Sequence, residues 1–260
     1  MLFAAQLSMV LIACEDVIHL DLSDIQNQIV IEGIVSDSPA SSKVTVSVTQ
    51  NAYQKPQSSN LLGATVTLSD DQGTTEIVKE GQTGVFVPTT ISGVPGRAYR
   101  LSVSVGGQVF TADSRMPAPM TLDSIRSVTS TSWLTFGSTT LRYYLTDNPT
   151  IDEFCVIKAY CLNSSSFVWT VYSDKYANGS HVMVESPEFS PTNATVVVEV
   201  YSVDKAVYDY FYSLRLVAGT SLSLPDLLRM SDYNPKSNIS NNALGYFSAQ
   251  TMRRYIVQLH

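Results

Sequence analysis

Apolar and polar positions alternate along most of this chain. Residues 43–49 read K-V-T-V-S-V-T, with Val44, Val46 and Val48 on one side. Residues 63–69 do the same with Ala64, Val66 and Leu68, and 28–35 is apolar at every second position. A period of two marks a strand with one face buried and one face wet. Further strands are predicted at 74–80, 84–87, 99–105 and 108–112. Asp70-Asp71-Gln72-Gly73 and Gly106-Gly107 supply tight turns between neighbours. Seven short strands in about 90 residues predict a sandwich.

Met116-Pro117-Ala118-Pro119 breaks the alternation and is the predicted domain boundary. Beyond it, strands are predicted at 141–144, 153–160, 167–172 and 195–203, with His181 on another. A closing hairpin is predicted from 245–249 and 254–259. One helix is predicted near 204–218: Asp204 suits an N-cap, Val207, Phe211, Leu214 and Val217 recur at helical spacing, and Gly219 ends it. The predicted class is mostly β, with two β-sandwich domains. The first, 25–118, is immunoglobulin- or prealbumin-like, and the second, 119–260, is β-rich with one packed α-helix. Within the first, the order G-A-x-V-x-L, turn, strand, G-x-F, G-x-x-Y-x-L-x-V resembles prealbumin-like and carboxypeptidase-regulatory-like sandwiches, which points Tyr99 and Leu101 inward.

Composition agrees with β-structure. Charged residues are 15 % of the 260, below the usual ~25 %, and Thr, Ser, Val and Tyr fill the gap. The net charge of −7 repels phosphate backbones and argues against nucleic acid as a partner. Past residue 13 no apolar run approaches the ~20 residues of a membrane helix.

The first thirteen residues differ from the rest. They form an apolar run that ends Leu11-Ile12-Ala13 and meets Cys14, then Glu15-Asp16. A short apolar stretch ending in small residues reads as a secretory signal. A Cys at its end resembles the lipobox of bacterial lipoproteins, with Leu11 at −3, Ala13 at −1 and Cys14 lipidated. Residues 14–24 then form a tether from lipid to fold. Attachment of two or more acyl chains anchors stably where one does not. No Lys or Arg precedes Lys43, so the usual basic start of such a signal is not among these residues. A buried N-terminal element with an ordinary Cys is the competing reading.

Candidate chemistry is sparse. Cys155 and Cys161 fall on one face of one predicted strand, too far apart at ~3.3 Å per residue for a bridge unless a turn intervenes. His19, His181 and His260 are scattered, and no metal-ligand spacing links them to each other or to Cys. No nucleophile elbow, zinc helix or phosphate loop is present. Asp147, Asp152 and Glu153 bracket a turn, either as a weak calcium site or as a solvated Asx turn at Asp147-Asn148-Pro149. No cofactor and no catalytic residue is assigned. Aromatic side chains are the better lead, with 14 Tyr, 9 Phe and 2 Trp. Tyr208 and Tyr212 share a helix face distinct from that of Phe211 and Leu214. With Trp133 and Trp169 they form the predicted contact surface for a glycan, peptide or protein, against plain core packing as the alternative.

Taken together, the lipobox at Cys14, the early strand Ile29-Val30-Ile31-Glu32-Gly33, Gly63-Ala64-x-Val66, Gly84-x-Phe86, Gly96-x-x-Tyr99-x-Leu101, and Asn238-Ile239 followed by Gly245-Tyr246-Phe247 carry a family resemblance. The chain resembles the Bacteroidetes outer-membrane lipoproteins of unknown function, often encoded beside SusC-like TonB-dependent receptors. Asn242-Ala243-Leu244 stands where that family usually has a Gly-Gly pair. The resemblance implies a cell-surface, lipid-anchored, non-catalytic accessory to an uptake receptor. The acidic pair after Cys14 is similar to surface-export signals, and Asp123-Ser124-Ile125 to an O-glycosylation sequence, of such proteins. A fimbrial or adhesin subunit with an exchangeable first strand is the structural alternative. A glycan hydrolase would need two carboxylates across a cleft. Mass spectrometry of the mature protein is expected to find an acylated Cys14 at its amino terminus; an unmodified thiol, or residues 1–13 still attached, would overturn the anchor.

Overall fold

The computed structural model describes residues 27–49, 63–130, 137–162, 164–175, 179–191, 195–217 and 234–259. Cys14, the 14–24 tether, Trp133, Gly219, His19 and His260 lie outside them. The described residues are mostly β, with one α-helix and three sheets. The first module contributes β1 (Ile29–Ser36), β2 (Lys43–Val48), β5 (Glu80–Gln82) and β6 (Val85–Phe86) to the largest sheet. Its remaining strands, β3 (Thr65–Asp70), β4 (Thr75–Val78), β7 (Ala98–Val105) and β8 (Gln108–Arg115), form a four-stranded sheet in the order β4-β3-β7-β8. In the second module β9 (Ser124–Thr129), β10 (Thr139–Thr146) and β13 (His181–Glu185) form a three-stranded sheet. Its other strands, β11 (Phe154–Cys161), β12 (Phe167–Ser173) and β14 (Thr195–Ser202), join the largest sheet, followed by α1 (Lys205–Val217) and β15 (Leu244–Gln258).

Two sandwiches result because the eight-stranded sheet, ordered β12-β11-β14-β15-β1-β2-β6-β5, presents one face to both smaller sheets. At one end Ile31, Val35, Val44, Val46 and Phe86 meet Val66, Leu68, Leu101, Val103 and Phe110 of the four-stranded sheet. At the other end Cys155, Ile157, Val196, Val198 and Val200 meet Leu141, Tyr143 and Leu145 of the three-stranded sheet. These are the alternating positions read from the sequence, and Tyr99 and Leu101 are buried as the pattern requires. The buried Tyr99 hydroxyl finds partners, as it must: it donates to Ser92 O and accepts from Val94 N. β11 runs without a break between Cys155 and Cys161, so both thiols are buried at opposite ends of one strand.

The predicted closing hairpin is not there. Residues 244–258 form one 15-residue strand that belongs to both modules. Its first half pairs parallel with β1, from Val30↔Leu244 to Ser36↔Gln250. Its second half pairs antiparallel with β14, from Ser202↔Thr251 to Thr195↔Gln258. Alternation is lost in the middle because Ser248, Ala249, Gln250 and Thr251 are all buried, whichever face they occupy. Residues 239–249 therefore pack in the first core, through Ile239, Ala243, Phe247 and Ala249, although they follow the second module in sequence.

Each half of β15 leaves one edge without a strand, and side chains take those bonds. Asn238 accepts from Phe247 N and donates to Phe247 O, at 2.9 and 2.8 Å. Ser114 Oγ accepts from Ala249 N at 2.8 Å. Asp37 accepts from Met252 N at 2.8 Å and pairs with Arg253 at 2.9 Å. The same Ser114 hydroxyl donates to Asp204, whose other oxygen caps α1 by accepting from Val207 N at 3.0 Å. The helix cap of the second module is thereby fastened to β8 and β15 of the first. After Pro119 the chain is held to the second module by Met120 N donating to Ser202 Oγ and Leu122 N to the Tyr255 hydroxyl.

Gly245 marks where β15 enters the sheet. Its φ is +95°, and a Cβ there would sit 2.0 Å from the carbonyl oxygen of Ile31. A glycine is needed both for the left-handed backbone and for the approach to β1. Gly245→Ala is expected to cost about 3 kcal/mol or more in urea unfolding, because backbone must shift as well as adopt a strained φ. Gly63→Ala, at φ +81° but facing open space, is expected to cost only about 1 kcal/mol.

Candidate functional site

The outer face of the large sheet is half covered. α1 lies across it and buries Val207 and Tyr210, while Phe211 and Leu214 stay half-buried and Val217 is exposed. The apolar stripe predicted for the helix is thus rotated toward Tyr210, because the sheet below offers Tyr246 as a partner at 4.9 Å between ring centroids. Beside the helix a cleft of about 510 Å³ opens toward the 3-10 turn Pro39–Ser41. Trp169 and Phe167 of β12, Tyr201 of β14, Tyr246 of β15 and Phe211 of α1 supply its rings. Trp169 meets Phe211 edge-on at 5.8 Å, and Phe211 meets Tyr246 at 5.0 Å. Strand parity explains the set: each of these strand residues is the outward neighbour of a core residue.

Two cations stand on this lining, Lys158 of β11 and Lys43 of β2. Among the described residues the lining includes no carboxylate, imidazole or thiol. Lys158 lies opposite Glu199 in the ladder, yet Glu199 is occupied elsewhere. Its buried carboxylate takes Arg254 at 2.7 Å and the hydroxyls of Tyr160 and Tyr201 at 3.0 and 2.6 Å. Burial alone would raise the Glu199 pKa, but these donors hold it below the ordinary value, so it stays ionised. Burial and the adjacent Glu199 push the Tyr201 hydroxyl up, so it stays protonated. The Lys158 ammonium swings the other way, over the Phe167 ring at 4.4 Å and the Tyr160 ring at 5.3 Å.

Of the predicted contact residues, Trp169 lies in the cleft. Tyr208 and Tyr212 do not line it: they stack on each other at 5.8 Å, with Tyr208 against Phe154 at 5.3 Å and Tyr212 41 % exposed. Trp133 lies outside the described residues. The sequence assigns no contact role to Lys43, Lys158, Phe167, Tyr201 or Tyr246, although Tyr246 stands in a motif that carries the family resemblance. The available signal was a lysine inside an apolar strand, out of phase with Cys155 and Cys161.

A second polar site surrounds the Asp147 turn. Asp147 Oδ2 accepts from Gly179 N at 2.6 Å, Asp174 accepts from Glu153 N at 2.6 Å, and Glu153 accepts from Asn148 N at 3.2 Å. Asp147 Oδ1 and the Tyr172 hydroxyl are buried without a hydrogen bond among the described residues. Among the described residues, no group of three His, Cys, Asp or Glu side chains is placed to hold a metal ion, and the Asx turn starts one residue later than expected, at Asn148, whose Oδ1 accepts from Thr150 N because Pro149 has no N–H to offer Asp147. Burial, then the charges of Asp147 and Asp174, raises the Glu153 pKa; burial, then Asp147 and Asp152, raises that of Asp174. A carboxyl that holds its proton more tightly when folded favours the native state at low pH, and loses that contribution as pH rises through its folded-state value. Glu153→Gln keeps the acceptor and removes the charge. Its stability relative to the unaltered chain is expected to rise between about pH 4 and pH 7 in urea unfolding, and a flat difference would refute the coupling.

No curated protein matches the chain by sequence. A family match covers residues 15–256, from the end of the predicted lipobox to within β15. The chain belongs to the family described as a domain of unknown function (DUF4249).

Proposed function

We propose that this protein is a non-catalytic binding module, anchored by lipid on Cys14 at the surface of a Bacteroidetes-type outer membrane, and that it works beside a SusC-like TonB-dependent receptor in capturing a nutrient. The observation that carries the binding part is the cleft beside α1: five aromatic rings and two lysines, with no acid–base pair or thiol on its lining among the described residues. Pockets for small ligands are mostly apolar with a few placed polar groups. The lipobox residues Leu11-Ile12-Ala13-Cys14 carry the anchoring part. No helix among the described residues is long and apolar enough to cross a membrane, which agrees with attachment from outside and says nothing of strands.

The fimbrial alternative draws no support from the fold. It needs a first strand that can leave, and β1 is hydrogen-bonded on both sides, to β15 and to β2. Removing it would divide the large sheet and expose the first core.

Affinity capture from detergent-solubilised outer membranes, with the lipidated protein as bait, is expected to recover a TonB-dependent receptor. Recovery of none, under conditions that retain the bait, would refute the accessory role. Recovery of fimbrial shaft proteins instead would establish the alternative.

A further inference from the structure

We infer that the cleft beside α1 takes a small amphipathic anion: a carboxylate on a flat apolar body, held with its ring against Trp169, Phe211 and Tyr246 and its charge at Lys158 and Lys43. This rests on the binding role proposed above and gives that role a ligand class.

The charge argument is the decisive one. The chain carries a net charge of −7, so a cleft whose charged lining, among the described residues, is Lys43 and Lys158 is locally opposite to the whole. Among the described residues neither Lys43 nor Lys158 has a carboxylate at ion-pair distance; Lys79, Arg115, Arg126 and Arg215 share that condition, but only the two lysines stand together on an aromatic cleft. Glu199, the natural partner for Lys158, is neutralised by Arg254. Lys43, Lys158 and Arg254 against Glu199 and Glu32, the last paired with Tyr246 in the ladder and acting on its hydroxyl, leave one positive charge around the cleft.

Shape and polarity supply the rest. A lysine above an aromatic ring is partly stripped of water, and a bound carboxylate would replace a weak cation–π contact with a charge-assisted hydrogen bond. Phe167 is 53 % exposed, an unusual position for a ring on a sheet, and it forms the outer wall of the cleft. Gln250, also on the lining, has its Oε1 turned to the Ser248 hydroxyl at 3.0 Å. A cleft of about 510 Å³ has room for a fused bicyclic acid. A neutral sugar would accept hydrogen bonds from the lysines but leave their charge unbalanced, and a cation would be repelled by them.

The test is an NMR titration with 1-naphthoate on protein carrying Trp133→Phe, so that the single indole N–H signal reports Trp169. Saturable displacement of that signal is expected. The neutral isostere 1-naphthalenemethanol should bind about tenfold or more weakly, and Lys158→Met should weaken naphthoate by a similar factor while sparing the alcohol. Lys158→Gln repeats the measurement should the methionine variant lose its folded far-UV spectrum. Three results would each overturn the inference: no saturable displacement, equal binding of acid and alcohol, or an unaltered affinity in the lysine variants. Capture of a receptor by protein that fails this titration would leave the accessory role standing and remove only the ligand class.

Discussion

A backbone without water must bond to something, and β15 meets that demand twice over. It is parallel to β1 in its first half and antiparallel to β14 in its second. Because one strand is common to both modules, their inner faces are parts of one sheet and cannot hinge freely at the 116–119 break. The free edges are closed by Asn238, Ser114 and Asp37, each imitating the bonds a strand would make. Such side-chain substitutes are local and directional. They fix where pairing stops on one side and resumes on the other.

Everything on the outer face follows from that continuity. The helix enters at Asp204, and its cap is tied through Ser114 to the backbone of β15. α1 therefore lies over the seam between modules and not over the second alone. The cleft beside it draws Lys43 and Ile34 from the first module, and Trp169, Lys158 and Tyr201 from the second. A ligand bound there would contact both, and its affinity would depend on the seam being rigid. Glu199 stabilises the same face from within, since its buried charge is matched by a guanidinium and two hydroxyls; an unmatched carboxylate there would be costly.

The Asp147 turn shows the opposite economy. Three carboxylates crowd a turn with backbone donors for some oxygens and, among the described residues, none for Asp147 Oδ1. Burial and mutual repulsion work in the same direction there, whereas at Glu199 donors outweigh burial. Both sites are acidic in sequence, and two things separate them: the donors aimed at each oxygen, and the neighbouring charge, a guanidinium at Glu199 and other carboxylates at the turn.

The alternation of residues by itself determined which side chain of each strand faces a core: Val44, Val46, Leu68, Tyr99, Leu101 and Ile157 all lie where a period of two puts them. Capping chemistry likewise determined the helix start, because an Asp at that position can accept from its third amide without help from the rest of the fold. Tertiary structure alone decided that residues 244–258 are one strand, since burial from both faces at its centre erases the alternation by which a strand is recognised. It also decided that Lys43, Lys158, Trp169 and Tyr246 share a cleft while Tyr208 and Tyr212 do not. Periodicity is a property of neighbouring residues on one backbone, but the order of strands in a sheet is settled by contacts between residues up to about 200 positions apart, which no local pattern records.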